Sequence, residues 1–301
     1  MEKRIKLSNN GPEFSRIVSG FWKLGAGNAE LNYQQREELV EKAIDYGITT
    51  FDHADIYGNY SNEAEFGEVL KHKPFLRQKM EIVTKCGIRM MSHKKPEHFV
   101  PSYDTSKQHI LNSVENSLRN LNTDYIDLLL IHRPSPLMNP YEIAEAFLQL
   151  KQTGKVKFFG VSNFTPSQFE MLNSFTELVT NQVEISLLKR DFFLNGTLDQ
   201  CITKGFAPMA WSPLGGGSFF KETNDSNILK TKELAQHLSQ KYNAKLDHLL
   251  IAFLLKHPAN IIPVLGSSKP ERLKIGMEAI DIELTTMDWF ALWQAAGGLV
   301  P

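Results

Sequence analysis

The chain has 301 residues, 42% of them hydrophobic, enough for one large domain or two modest ones, between which composition does not choose. Its formal net charge is -1 with Lys and Arg scattered, so it lacks the massed positive charge of a phosphate-backbone binder, and no nucleic-acid partner is expected. The two cysteines, Cys86 and Cys201, fit neither a disulfide framework nor a metal knuckle, and no apolar run approaches the roughly 18 residues of a membrane span. No apolar core of signal-peptide length opens the chain, so a cytoplasmic protein with no membrane partner is expected.

Arg4 to Leu7 and Phe14 to Ser19 flank the turn-rich SNNGPE and predict an N-terminal β-hairpin. Eight short runs rich in β-branched and aromatic residues follow: IVSGFW (17–22), ITTFDH (48–53), EIVTKC (81–86), IDLLLIH (126–132), VKFFGVS (156–162), VTNQVEI (179–185), FAPMAWS (206–212) and IIPVLG (261–266). Helical segments alternate with them. Asn62 with Glu65, Thr105 with Gln108 and Thr165 with Gln168 have capping-box spacing, and Asn139-Pro140 opens a helix that Gly154 closes. Continuous apolar strands alternating with helices predict an α/β fold, a (β/α)8 TIM barrel occupying 1–301 as one domain, with a C-terminal extra helix over 285–296. An open doubly wound sheet is the alternative, but no GxGxxG follows the first strand. Three irregular stretches, 88–104, 133–138 and 213–227, follow strands and so belong to the face where barrel active sites are built.

Polar residues stand where barrel strands end. Asp52 closes the second run, Lys85 stands near the end of the third, His132 closes the fourth, and Tyr57 lies on the loop after the second. Singly, each has an ordinary structural explanation as a turn residue, a snorkelling lysine or a satisfied core histidine. Together they suit one chemistry. A tyrosine hydroxyl, with an ordinary pKa of about 10, becomes a better proton donor beside a cation. A lysine held charged by an aspartate supplies that cation, and a neutral histidine can orient a carbonyl oxygen. The set fits protonation of a developing alkoxide and requires a separate hydride donor, for which a nicotinamide cofactor is the natural choice. His53, Asp55 and His132 are conceivable metal ligands, but Asp52 and His53 are strand neighbours that point to opposite sides, and no second histidine pair has metal spacing. No metal is expected.

The motifs FDHADIYG, VTKCG, LLLIHRP, GVSNF, NQVEIS, AWSPLGGG and IPVLGSSKPERL, in this order from about Phe14 to Arg272, resemble the aldo-keto reductase family. The end, WFALWQAAGGLVP, is similar to bacterial members without a long substrate-enclosing tail. The resemblance implies a catalytic tetrad of Asp52, Tyr57, Lys85 and His132, with Tyr57 as general acid, and NADPH as cofactor. It also places Asp52 at the cofactor site with Ser162, Asn163 and Gln182 against the nicotinamide carboxamide, and Trp211 against its ring. Ser212, Leu214, Gly216 and Gly217 would lie on a loop over the pyrophosphate. Gly20, Phe21 and Trp22 would edge the pocket, Gly266 would also belong to the cofactor site, and Ser267, Ser268, Lys269 and Arg272 would meet the 2'-phosphate at a helix start. Two departures bear on that last site: the family often has lysine where Gly266 stands and a Glu-Asn pair where this chain has Ile275 and Gly276. The expected activity is reduction of a small-molecule aldehyde or ketone by a monomer or weak homo-oligomer. A nicotinamide-binding regulatory subunit of the same fold, with little turnover, is the competing reading. Arg133, beside His132, is compatible with an anionic substrate or with an acidic neighbour in the protein.

Overall fold

The computed structural model describes residues 2–22, 24 and 30–300. Twelve strands are formed among them: β1 (Arg4–Lys6), β2 (Glu13–Ser15), β3 (Val18–Gly20), β4 (Thr50–Asp52), β5 (Glu81–Cys86), β6 (Ile88–Arg89), β7 (Ser102–Tyr103), β8 (Ile126–Ile131), β9 (Val156–Ser162), β10 (Asn181–Glu184), β11 (Met209–Trp211) and β12 (Ile262–Leu265). Eight of these close a parallel barrel in the order β3-β4-β5-β8-β9-β10-β11-β12, with β12 pairing back to β3. Each barrel strand falls within one of the eight apolar runs, so the expected (β/α)8 TIM barrel is the architecture observed.

The pleat sorts each strand between two cores. Leu128 and Leu130 of β8, Val83 of β5, Val18 and Val264 point into the barrel, where Leu7 and Phe14 of the β1-β2 hairpin close its floor. Leu129, Ile131 and Ile82 point outward against the helices. The same alternation carries Asp52, Lys85 and His132 inward at the strands' C-terminal ends, in phase with Thr50, Val83 and Leu130. His53 goes the other way. It is fully buried among Phe21 and Phe66, with ring centroids 4.8 and 4.4 Å away, and burial pushes its pKa down to about 3.

Local signals at the helix ends were partly misread from the sequence. Thr165 forms the expected capping box with Gln168, and Asn139 caps the Pro140–Gln152 helix. Asn62, expected as a cap, is instead the first residue of the Asn62–His72 helix, and its amide donates to Phe21 O at 2.7 Å. Ser106, one residue past the expected Thr105, caps Lys107–Leu121 through His109 N. A side chain committed to a tertiary hydrogen bond is no longer available to cap, which spacing alone does not reveal. The 88–104 stretch is also more regular than expected, because β6 and β7 pair antiparallel. The C-terminal helix runs Thr286–Ala295, capped by Thr285, and packs on Ser226–Tyr242.

Gly67 sets the approach of two helices on the outside of β5. A Cβ there would lie 1.9 Å from the backbone oxygen of Asn120, at the end of the Lys107–Leu121 helix. Gly67→Ala should therefore force the helices apart and cost at least ~1–3 kcal/mol, read as a lower urea midpoint at unchanged m-value.

Candidate active site

At the C-terminal mouth of the barrel, Lys85 is fully buried and holds the centre of a polar cluster. Its Nζ donates to Asp52 Oδ1 and Oδ2 at 2.8 and 2.7 Å, to His53 O at 2.7 Å and to Tyr57 Oη at 3.2 Å. Burial disfavours the ammonium, but Asp52 and then Tyr57 more than offset this, so the Lys85 pKa ends above its ordinary value. For Tyr57 burial dominates. Its pKa is raised, with Lys85 pulling in the opposite direction without prevailing. Lys85 thus favours the phenolate as expected, but the net displacement has the other sign. The Tyr57 ring meets His132 edge to face, with centroids 5.9 Å apart. Burial, then the charges of Lys85 and Arg133, hold His132 well below the ordinary histidine value, so it is neutral near pH 7.

The backbone that presents Tyr57 is unusual. Gly58, Asn59 and Tyr60 all have positive φ, at 58°, 55° and 65°, a left-handed run that non-glycine residues adopt only under outside constraint. The constraint is visible: Tyr60 Oη accepts from Met90 N at 2.8 Å, tying the turn to the β6-β7 hairpin. Asn62 closes the other side, since a Cβ on Gly58 would sit 1.7 Å from its Oδ1.

Tyr57, Asp52 and His132 open onto a cavity of about 540 Å³. Its wall includes Ser162, Asn163, Gln182 and Trp211, and also Ser267 and Arg272. Gly216 and Gly217, both at positive φ, also line the cavity, and among the described residues beyond their chain neighbours no atom lies within 4 Å of where a Cβ would stand. Trp211 Nε1 donates to Asn163 Oδ1 at 3.0 Å, Asn163 Nδ2 to Ser162 Oγ at 2.7 Å, and Ser162 Oγ to Gln182 O at 2.8 Å. The indole is thereby fixed in the cavity wall. Among the described residues no group of three or more His, Cys, Asp or Glu side chains is placed to hold a metal, and no helix is long and apolar enough to cross a membrane.

Residues 16–296 match the Aldo/keto reductase family. The chain belongs to that family. It is 47% identical to Uncharacterized oxidoreductase YcsN of Bacillus subtilis over 300 residues, covering 98% of each chain. It is 44% identical to the 6-dehydroglucose reductase of Agrobacterium fabrum over 298 residues, again 98% of each. Among solved structures, the thermostable aldo-keto reductase Tm1743 in complex with the inhibitor epalrestat superposes with a TM-score of 0.81 at 28% identity, covering 97% of this chain and 99% of that one.

Within this aldo/keto reductase the site residues expected from sequence do not all converge. Gly20, Trp22, Ser212, Leu214 and Gly266 line the cavity with those already described, whereas Ser268 and Lys269 are absent from its wall. Phe21, expected at the pocket edge, is 1% exposed and packs its ring on Phe51, His53 and Phe66. The pleat turns it outward, one residue after Gly20. Gln182, which lines the cavity, also donates from Nε2 to Asp52 Oδ1 at 2.9 Å, adding a third hold on that carboxylate. Gly276, noted as a departure, fits the fold rather than the cavity, since a Cβ there would stand 2.4 Å from Leu265 Cδ1. Ile275 faces the cavity in its place. Sequence reasoning missed Asp247, Ile251 and Ile56 in the wall, and no local signal marks them: they are ordinary helix and turn residues brought in by the barrel.

Proposed function

We propose that this protein reduces an aldehyde or ketone to the alcohol at the expense of NADPH, with Tyr57 as the proton donor. The observation that carries the proposal is the buried chain from Asp52 through Lys85 to Tyr57 Oη, ending on the cavity beside a neutral His132. The fit of the cavity to a dinucleotide rests on its donor set and shape. Its wall combines a pinned indole and amide cluster, glycines at positive φ that let backbone approach a ligand closely, and the Arg272 guanidinium, which has no carboxylate partner among the described residues. NADPH, when bound, supplies the hydride that reduces the carbonyl carbon. Tyr57 gives its proton to the oxygen, and Lys85 stabilises the phenolate left behind. Neutral His132 donates a ring N–H to the carbonyl oxygen and orients it. Asp52, gripped by Lys85 and Gln182, keeps the ammonium charged and in place. The naming of the Agrobacterium fabrum relative as a 6-dehydroglucose reductase supports carbonyl reduction as the reaction class.

The test is NADPH oxidation by the purified protein against a panel of aldehydes, ketones and dicarbonyls, with Tyr57→Phe as the blank. Turnover lost in that variant supports the enzyme. Tight NADPH binding with no wild-type turnover on any member would favour the regulatory-subunit reading.

Arg272 is the residue proposed to meet the 2'-phosphate, because its side chain reaches the cavity where Lys269 does not. Arg272→Ala should weaken NADPH about 10- to 100-fold by fluorescence titration while changing NADH far less. Lys269→Ala should be nearly silent. Equal losses for the two cofactors would remove Arg272 from the phosphate.

A further inference from the structure

The cavity contains a second guanidinium that the cofactor reading does not use. Arg133 follows His132 directly at the mouth of the barrel, is half-buried and lines the same space. Among the described residues no carboxylate lies within ion-pair distance of it and its side chain makes no hydrogen bond. Its guanidinium carbon stands 5.7 Å from the Trp211 ring centroid. Two carboxylates line the cavity. Asp52 is held by Lys85 and Gln182, and Asp247 accepts from His248 N at 3.2 Å. Among the described residues, the acidic neighbour that would give Arg133 a purely structural role is therefore not found.

An arginine in a partly desolvated pocket loses hydration, and among the described residues no carboxylate compensates for it. The Trp211 face contributes an attraction of its own, and because Trp211 is pinned through Asn163 it also offers the cation a fixed platform. A guanidinium above a ring keeps its N–H edge free, and that edge matches the two oxygens of a carboxylate. The surrounding wall from Trp22, Ile56, Ile88 and Phe220 is apolar or aromatic and would exclude water from such a pair. Its position beside His132 puts the charge next to the place where the carbonyl oxygen is handled.

We propose that Arg133 is the specificity residue of the carbonyl site and selects substrates that carry a carboxylate close to the reacting carbonyl, such as 2-oxo acids and semialdehyde acids. This rests on the carbonyl-reductase reading and names its substrate class. The pairing acts mainly on binding, because the carboxylate is present in substrate, transition state and product alike.

The test measures kcat/KM with NADPH for matched substrates: glyoxylate against acetaldehyde, and succinic semialdehyde against butanal. Wild type is compared with Arg133→Met and Arg133→Lys as variant-to-wild-type ratios, which cancels differences in intrinsic reactivity. Arg133→Met should cut the carboxylate substrates about 10- to 100-fold, mostly through KM, and the neutral ones much less. Arg133→Lys should recover part of the loss, since charge returns without the planar fork. Added salt should erode the wild-type preference. Equal losses on charged and neutral members would overturn the proposal, as would an equal loss on glyceraldehyde, which would mean donation to hydroxyls rather than reading of charge. A fall in NADPH affinity that matches the fall in carboxylate turnover would assign Arg133 to the cofactor and overturn it too. Wild type that reduces the neutral aldehydes well but gains nothing from a carboxylate defeats this inference alone. Wild type that reduces none of them defeats the carbonyl-reductase reading together with it.

Discussion

Lys85→Met is expected to be the most destabilising single change at the site, lowering unfolding free energy by about 3–5 kcal/mol. Methionine matches the length of the lysine stem, so little volume is lost. What is lost is the cation inside a cluster with almost no exposure: Asp52 is 3% exposed and Lys85 0%. Removing one member leaves the Asp52 carboxylate buried with the Gln182 amide as its remaining side-chain donor at 2.9 Å. It also frees His53 O and Tyr57 Oη, which both accept from the same ammonium. The double variant Asp52→Asn/Lys85→Met separates the causes. Neutralising the stranded carboxylate should restore much of the stability lost in Lys85→Met, while reductase activity stays lost because the cation beside Tyr57 is still missing. Urea titration of the four members of the cycle checks this, and additive penalties would show that the two residues do not stabilise each other. The pH sign follows from the raised Lys85 pKa. Its folded-state contribution is fully present below the unfolded value of about 10.5 and disappears as pH rises through the higher folded one, so the gap between wild type and Lys85→Met should narrow only in strong alkali.

The barrel was legible because each of its strands is a short apolar run, and such runs are long enough to identify even where the ends are uncertain. Inward placement of Asp52, Lys85 and His132 was legible too, since strand parity is a local property. Phe21 shows the limit of that argument: Gly20 and Trp22 reach the cavity and Phe21 does not, a distinction that depends on knowing which face of β3 is inward. Long-range pairings were hidden. Gln182 and Asp52 are separated by 130 positions, and Tyr60 meets Met90 across an apparent loop that is in fact a hairpin. Nor could residue identity give the net direction of the Tyr57 pKa, because it turns on how much burial outweighs a cation 3.2 Å away. That no described carboxylate pairs with Arg133 is likewise a property of the assembled cavity.

Tyr57→Phe should reduce carbonyl turnover on the order of 10²–10⁴-fold, or ~3–5 kcal/mol in the barrier, with NADPH affinity nearly unchanged. The substitution removes one oxygen from a ring whose place is set by the left-handed turn, the His132 edge and the Tyr60–Met90 bond, none of which needs the hydroxyl. Lys85 keeps its bonds to Asp52 and His53 O, so the fold has little reason to respond. The pH profile distinguishes a proton donor from a merely positioned ring. In the proposed reaction the protonated phenol is the acid, and it exists below its pKa. Burial has moved that value above the ordinary 10, so wild-type kcat/KM should stay flat through neutrality and fall only in alkali. His132 sets the other limb: its pKa lies well below 6.5, so its neutral form persists until the solution is distinctly acid. In Tyr57→Phe the residual rate should lose the alkaline limb and keep the acid one. A residual rate that retained the alkaline limb unchanged would move the donor role away from Tyr57 to another group that titrates there, and with Lys85 as the neighbouring candidate the Lys85→Met profile would then decide between them.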